Sequence, residues 1–173
     1  MLDINTARGQ VSLFHEQKII SLLIKKYGAN IIQTPKHLDA VCDGMVINPD
    51  GCINSIYEFK CRDNLIQKDD GIYYQSGTYS QKEDSWLITH NKILECVDVA
   101  SKLKVPFIGW LYLINSNIVY QFNITDSHGK YLFEFDVKNT KTQKTINGGS
   151  INRNNAFLPF KYSHQILVPS DFM

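Results

Sequence analysis

Three charged residues, Asp43, Glu58 and Lys60, have the types and the spacing to do chemistry together. Asp43 interrupts the apolar run of residues 41–47, and Glu58 and Lys60 interrupt the run of residues 53–61. Because side chains alternate along a strand, Glu58 and Lys60 project from one face, and the intervening turn brings Asp43 opposite Glu58. Since burying an unpaired Glu or Lys costs several kcal/mol, these charges need either partners or a function.

The chemistry that such a cluster supports is metal-dependent hydrolysis. Two carboxylates at close range repel each other unless a cation lies between them. Asp43 and Glu58 offer hard oxygen ligands, and the backbone oxygen of Phe59 points near the same place, which suits Mg²⁺ or Mn²⁺ rather than zinc. Such an ion lowers the pKa of a bound water and neutralises charge on a phosphodiester. Lys60 can orient that water or help to deprotonate it. The structural alternative is that the charges only form ion pairs.

The arrangement of Asp43 and the run Glu58, Phe59 and Lys60 resembles the PD-(D/E)xK nuclease superfamily. Members of that family have the restriction-endonuclease-like fold, with an aspartate at the start of a hairpin and an ExK motif on its second strand. The resemblance implies that these residues bind a metal and cut nucleic acid. This sequence departs from the family at Cys42, where proline is common.

The resemblance extends to the elements around the hairpin and covers roughly residues 10–125. The family commonly supplies a further acid from the helix before the hairpin, which implies a catalytic role for Glu16. A helix and an apolar strand commonly follow ExK, as predicted here for residues 91–104 and 106–114.

Two further residues match an element of the exonuclease branch of the superfamily. Gln75 and Tyr79 form a QxxxY pattern, which implies an accessory role near the site. Gly77 lies between them in a turn-rich segment, so a coincidental match is the alternative.

The elements that position these residues follow from periodicity and turn signals. Apolar residues at helical spacing predict a helix over 11–27, and a short strand is predicted over 30–34. The turn residues 48–51 predict a hairpin between the runs of the site. The polar residues 62–84 predict a connecting or lid region that can include a short helix.

The second half of the chain is predicted to be mostly strands and loops. Residues 91–104 form a helical pattern with Asn91 as N-cap, and the strand after it is apolar on both parities, as expected when both faces are covered. Further strands are predicted over 118–124 and 131–137, and residues 138–173 are predicted to be rich in loops.

This order predicts an α/β fold, a central mixed β-sheet flanked by helices, with extra C-terminal strands and loops. The resemblance makes that fold restriction-endonuclease-like. At 173 residues, 43% of them hydrophobic and 20% charged, the chain is expected to form a single domain over 1–173. Its core is predicted to span about 10–125, with a basic extension over 126–173.

The net charge of +1 hides an uneven distribution. After Asp136 the next acid is Asp171, and five bases lie between them, so this stretch could contact phosphates or simply be a solvated face. Asn side chains there could reach base edges, unless the segment is only a flexible loop. Lys92, at a predicted helix N-terminus, could also contact a phosphate. The predicted nucleic-acid-binding residues are Lys92, Lys141, Lys144, Asn152, Arg153 and Asn154.

Other features narrow the class of protein. The four cysteines lack zinc-site spacing and are expected to be reduced thiols. No apolar run approaches the roughly 20 residues that cross a bilayer, and the first ten residues lack a signal-peptide pattern. We therefore expect a cytoplasmic protein without a membrane partner. Its bias towards Ile, Asn and Lys favours an AT-rich source such as a phage.

The first functional hypothesis is a Mg²⁺- or Mn²⁺-dependent DNA endonuclease of site-specific restriction or homing type. It is expected to act as a homodimer, since one active site cuts one strand. A junction resolvase or an exonuclease of the same superfamily is an alternative. A non-catalytic nucleic-acid-binding protein is another, and the third is an α/β domain whose charges merely pair within the sheet.

Overall fold

A computed structural model describes residues 7–28, 30–35, 40–143 and 149–167 of the chain. Within these ranges there are two α-helices and twelve strands. The helices are α1 (Ala7–Tyr27) and α2 (His90–Leu103). The strands are β1 (Asn30–Gln33), β2 (Gly44–Ile47), β3 (Ile53–Arg62), β4 (Leu65–Lys68), β5 (Gly71–Ser76), β6 (Tyr79–Glu83), β7 (Ser85–Thr89), β8 (Phe107–Leu113), β9 (Ile118–Asn123), β10 (Asp136–Gln143), β11 (Ser150–Pro159) and β12 (Ser163–Leu167).

The main sheet has six strands in the order β1-β2-β3-β8-β9-β12. The strands β1, β2 and β3 form an antiparallel meander, β8 runs parallel to β3, and β9 and β12 continue antiparallel. All seven residues of β8 are buried, as its apolar sequence predicted for a strand covered on both faces. The chain is therefore mixed α/β with a mixed sheet and two helices, which confirms the predicted class.

Two apolar clusters cover the two faces of the main sheet. On one face α1 packs its buried residues Ile19 and Leu22 in a cluster with Tyr57 and Phe59 of β3. On the other face the cluster includes Ile56 of β3 together with side chains of α2, β7 and β11. The alternation predicted along β3 is therefore confirmed. It leaves Glu58 on the α2 side of the sheet, among the buried residues.

The prediction of a lid over 62–84 is wrong, because β4, β5 and β6 form a three-stranded antiparallel sheet there. The turn signals that predicted a loop belong to two tight hairpins. Lys68 pairs with Gly71 in the first hairpin, and Ser76 pairs with Tyr79 in the second, where Gly77 has φ 59°. Polar residues dominate because most of β6 is exposed.

The start of α2 also differs from the prediction. The helix begins at His90 with Thr89 as its N-cap, so the assignment of Asn91 as N-cap is wrong. The preceding residues form β7, which sequence reasoning missed and which pairs with β11. The helix ends as predicted, with Lys104 in the left-handed conformation two residues before Pro106.

The C-terminal part of the chain contains more strand than predicted. The predicted strand over 131–137 is wrong for most of its length: an isolated bridge joins Tyr131 to Thr125, Phe133 and Phe135 pack against the core, and β10 begins only at Asp136. The loop prediction for 138–173 is also wrong across the described ranges, where most of β10 and all of β11 and β12 form. Much of β10 and β11 is exposed and polar, so no alternating apolar pattern marked them.

Gly44 is the first residue of β2, where it pairs with Gln33 of β1 and Tyr57 of β3, and so it positions Asp43. A Cβ atom at this glycine would collide with the backbone oxygen of Ile32 and would lie 2.5 Å from the Tyr57 hydroxyl. Because a backbone atom cannot give way cheaply, Gly44→Ala is expected to destabilise the fold by about 3 kcal/mol. This lowers Tm by roughly 6–12 °C in a thermal melt followed by circular dichroism. Thr78→Ala, in an exposed turn, is the control and should change stability by less than about 0.5 kcal/mol. Equal Tm values for the two variants would contradict the packing argument.

Candidate active site

Asp43 is held against β3 by two hydrogen bonds to the backbone of that strand. Its N–H donates to the Tyr57 carbonyl at 3.0 Å, and its Oδ2 accepts from the Phe59 N–H at 2.8 Å. The side chain is 14% exposed. This geometry places the carboxylate beside Glu58, as the predicted hairpin required, and fixes its orientation through the sheet rather than through a flexible loop.

The ammonium of Lys60 is the point on which the predicted ligands converge. Its Nζ lies 2.5 Å from Glu58 Oε1, 3.0 Å from the Phe59 carbonyl oxygen and 3.6 Å from Asp43 Oδ2. These three oxygens belong to the three residues predicted to hold a metal ion. The structure therefore brings together Asp43, Glu58, Phe59 and Lys60 as the sequence predicted.

Lys92 belongs to the same cluster, although the sequence placed it with the nucleic-acid-binding residues. It lies in the first turn of α2, and its Nζ is 3.5 Å from Glu58 Oε2 and 3.3 Å from the Ala40 carbonyl oxygen. The Glu58 Oε2 atom is buried and accepts no hydrogen bond from any residue that the structure describes. Lys92 thus faces that oxygen, and Glu58 forms ion pairs with two lysines.

The charges of the cluster depend on one another. Burial raises the pKa of the Glu58 carboxyl, and the neighbouring Asp43 raises it further, while Lys60 and Lys92 oppose this effect. Burial acts against the charged form of Lys60, but Glu58 and Asp43 outweigh it and hold the pKa of the ammonium above its usual value. The site is therefore a coupled group of two carboxylates and two ammoniums, which a change in any one member would disturb.

Glu16 lies on α1 on the other side of the sheet and is 5% exposed. Its Oε1 accepts a hydrogen bond from Gln33 Nε2 of β1 at 3.3 Å. Burial raises the pKa of Tyr57, and the carboxylates of Glu16 and then Asp43 add to that rise. Both acids therefore lie within electrostatic reach of the buried Tyr57 hydroxyl. Gln33 and Tyr57 were missed by sequence reasoning because an amide and a core tyrosine carry no motif.

Two buried thiols lie behind the cluster. The Cys96 Sγ on α2 donates to the Val41 carbonyl at 3.3 Å, and Cys42 directly precedes Asp43. Burial raises the pKa of both thiols, with the charge of Glu58 adding to the rise for Cys96. Both are free, buried thiols that pack as small apolar groups. The only sequence signal for the contact between Cys96 and Val41 was the position of Cys96 on the apolar face of α2.

The donor set fits a hard divalent cation in type. Within the described ranges, no three or more His, Cys, Asp or Glu side chains gather as a metal-binding group. The available set is instead two carboxylates and one backbone carbonyl, all oxygens, already directed at a single positive charge on Lys60. Mg²⁺ and Mn²⁺ accept such ligands and complete their shells with water or phosphate oxygens.

No family model, curated protein or solved structure matches the chain. Two fixed carboxylates, a carbonyl and two lysines can hold a cation, orient a water molecule and attract an anionic group such as a phosphodiester.

The remaining predicted residues lie away from this cluster. Asn152, Arg153 and Asn154 are on β11 and Lys141 is opposite them on β10, so most of the predicted loop is an antiparallel ribbon. Lys144 lies outside the described residues.

Gln75 and Tyr79 lie on the β5–β6 hairpin and are exposed. The Tyr79 hydroxyl bonds to Gln81 Oε1, and its ring contacts Tyr74. These local contacts do not bring either residue to Lys60.

Among the described helices, none is long and apolar enough to cross a membrane.

Proposed function

We propose that the chain is a divalent-metal-dependent DNA endonuclease that acts at the cluster around Lys60. The observation that carries this proposal is the convergence of Asp43 Oδ2, Glu58 Oε1 and the Phe59 carbonyl oxygen on one cation. A single ion pair needs only one carboxylate on its lysine, whereas two carboxylates and a backbone carbonyl surround the Lys60 ammonium. Three fixed oxygens around one positive charge are instead the arrangement that a metal site uses.

The order of elements supports the same proposal. Helix α1 precedes the hairpin of β2 and β3, Asp43 lies at the start of that hairpin, and Glu58 and Lys60 lie on its second strand. Helix α2 and the buried strand β8 follow, and β8 pairs parallel to β3. These are the features on which the resemblance to the PD-(D/E)xK nucleases is based, and the finer, restriction-endonuclease-like fold is part of this proposal.

In this mechanism Asp43, Glu58 and the Phe59 carbonyl would hold Mg²⁺ or Mn²⁺. When bound, such an ion neutralises phosphodiester charge and lowers the pKa of a coordinated water. Lys60 donates hydrogen bonds to the attacking water and orients it towards phosphorus. The attacking water gives a proton to solvent as its oxygen forms the new P–O bond, one ester P–O bond breaks, and the leaving oxygen takes up a proton from solvent. Lys92 balances the charge of Glu58 and lies where it can attract the phosphate.

The substrate of the proposed reaction is duplex DNA. Cleavage of both strands requires two such sites, so we propose that the active form is a homodimer. The basic ribbon of β10 and β11 supports a polyanionic partner, because residues 137–170 contain no acid.

A panel of substrates tests the activity. We expect the purified chain to convert supercoiled plasmid to nicked and linear forms with Mg²⁺ or Mn²⁺, and to be inactive in excess chelator. Linear duplex, single-stranded DNA and a four-way junction are assayed in parallel. Cleavage confined to the junction would favour a resolvase, and release of nucleotides from ends would favour an exonuclease. Binding of DNA without cleavage of any substrate would contradict the proposal and favour a non-catalytic binding protein.

A further inference from the structure

Part of the β10–β11 ribbon extends beyond the sheet that supports it. Strand β7 pairs with β11 only from Asn155 to Pro159. Beyond that point five paired positions, from Asn139 with Asn154 to Gln143 with Ser150, have no third strand in the described structure. At about 3.4 Å per residue these pairs form a two-stranded ribbon roughly 17 Å long. We call residues 139–143 and 150–154 the free ribbon.

One face of the free ribbon continues the side that packs on the main sheet. Ala156 and Leu158 of β11 are buried in the core. Because side chains alternate, residues 154 and 152 lie on the same face as these core residues, and their partners on β10 lie there too. The hydrogen bond from Asn139 Nδ2 to Asn154 Oδ1, at 3.1 Å, agrees with this placement. The exposed residues of this face, called the amide face, are Asn139, Lys141, Asn152 and Asn154.

The free ribbon projects from the end of the molecule that carries the candidate active site. Asn155, at its base, pairs with Thr89, the N-cap of α2. Three residues later, Lys92 contacts Glu58 at 3.5 Å. The free ribbon continues past Thr89 in the direction in which β7 runs, and it therefore leaves the core at the N-terminal end of α2. A long ligand bound along the amide face would therefore extend towards the catalytic cluster.

The chemistry of this surface is that of a reader of duplex DNA. The free ribbon carries Lys141 and Arg153 and no acid, and Lys138 beside it pairs with Asp136 at 2.8 Å, so the charge of the free ribbon complements phosphates. The major groove of B-form DNA, about 12 Å wide, admits a two-stranded β-ribbon, whereas that of duplex RNA is too narrow. An asparagine amide can donate a hydrogen bond to N7 of adenine and accept one from its N6 amino group at the same time. Three exposed amides and a lysine on one face can thus discriminate bases.

We propose that the amide face enters the major groove of B-form DNA and reads base edges, which makes the chain sequence-specific. This inference rests on the proposed function, because it takes duplex DNA as the substrate. Asn152 and Asn154 read bases, and Lys141 contacts base edges or the adjacent phosphate. The sheet of β10, β11 and β7 fixes the ribbon relative to α2 and so sets the distance between the recognised sequence and the cut.

Selection from random duplex DNA tests the proposal independently of cleavage. The probe protein is the full chain with Asp43→Asn, without divalent metal, so that DNA is bound and not cut. We expect an enriched motif that contains adenine, and a preference of at least about 100-fold for the selected duplex over a scrambled one. Adding Asn152→Ala or Asn154→Ala is expected to reduce that preference about tenfold each. Asn54→Ala, an exposed asparagine near the start of β3, is the matched control and should keep the motif.

The lysine of the same face gives a second measurement. Lys141→Ala is expected to weaken binding to selected and scrambled duplexes and to lower the slope of log affinity against log salt by about one. Lys102→Ala, at the far end of α2, should leave the slope unchanged. Circular dichroism melts confirm that these exposed variants fold.

The outcomes separate this inference from the nuclease proposal. DNA binding without an enriched motif, or a motif that survives Asn152→Ala and Asn154→Ala, would overturn base reading by the amide face. Equal affinity for duplex RNA of the same sequence would overturn it as well. Plasmid cleavage by the unmodified chain is scored separately. A motif without cleavage contradicts only the nuclease, and cleavage without a motif contradicts only the ribbon.

Discussion

Replacing Asp43 by asparagine is expected to lower the rate of plasmid cleavage roughly a thousandfold in Mg²⁺, which corresponds to about 4 kcal/mol of lost transition-state stabilisation. The amide is nearly isosteric with the carboxylate but carries no charge to hold a divalent cation. Its oxygen can still accept the Phe59 N–H bond, which measures 2.8 Å to Asp43 Oδ2. The variant is therefore expected to fold and to bind DNA while losing cleavage.

The control for this substitution is Asp50→Asn, in the turn of the same hairpin. Asp50 Oδ1 accepts the Cys52 N–H at 2.9 Å, so the same chemical change is made at the opposite end of β3. Cleavage by this variant should match that of the unmodified chain. A rate for Asp43→Asn equal to that of Asp50→Asn, at the same Mg²⁺ concentration, would show that Asp43 is not part of the catalytic machinery.

The cluster could be predicted from the sequence because its members lie close together along one hairpin. Alternation along β3 and a single turn are enough to bring Asp43 to Glu58 and Lys60, and both are local rules. Lys92 reaches Glu58 only through the packing of α2 on the sheet, because four strands, β4 to β7, lie between the two residues along the chain. The helix was predicted, but its rotation and position on the sheet depend on side-chain packing that sequence periodicity does not contain.

The C-terminal strands were missed for a different physical reason. Apolar alternation marks a strand only where one face is buried, and the described side chains of the free ribbon are exposed or partly exposed on both faces. Its stability comes from cross-strand hydrogen bonds such as that from Arg153 Nε to Thr142 Oγ1, at 2.7 Å, and from its attachment to β7 through the base of β11. Polar turn-forming residues in such a ribbon resemble those of a loop. The aromatic residues Phe133 and Phe135 caused the opposite error, a strand predicted over 131–137, because they alternate like strand residues but pack against the core without joining a sheet.

Lys60 occupies the position towards which the site oxygens point, which links stability to metal binding. The ammonium neutralises two carboxylates that would otherwise repel each other, and its side chain is 37% exposed. A divalent cation held by the same oxygens must compete with this ammonium. The metal-free protein therefore keeps its acids close together at the cost of weaker affinity for the ion.

Lys60→Met is accordingly expected to lower the stability of the metal-free protein and to increase the stabilisation that a divalent cation gives. Without metal, the variant should be less stable by about 2 kcal/mol, a value below that of a fully buried pair because Lys60 is partly exposed. A concentration of Mn²⁺ one hundred times its Kd should stabilise the variant by about 2.7 kcal/mol, or roughly 5–10 °C in Tm. The unmodified chain should gain less at the same concentration, because its ammonium competes. Cleavage should be lost in the variant, since no ammonium orients the water.

Two matched variants decide whether the ion binds at this cluster. Lys82→Met removes the lysine of an exposed pair with Asp70, whose charged atoms are 3.4 Å apart, and should change neither Tm nor its response to Mn²⁺ by more than about 0.5 kcal/mol. Adding Glu58→Gln to Lys60→Met removes a ligand oxygen's charge and should abolish the response. If Mn²⁺ raises Tm equally in all of these proteins, the ion binds elsewhere, and the convergence on Lys60 is then a structural ion-pair network.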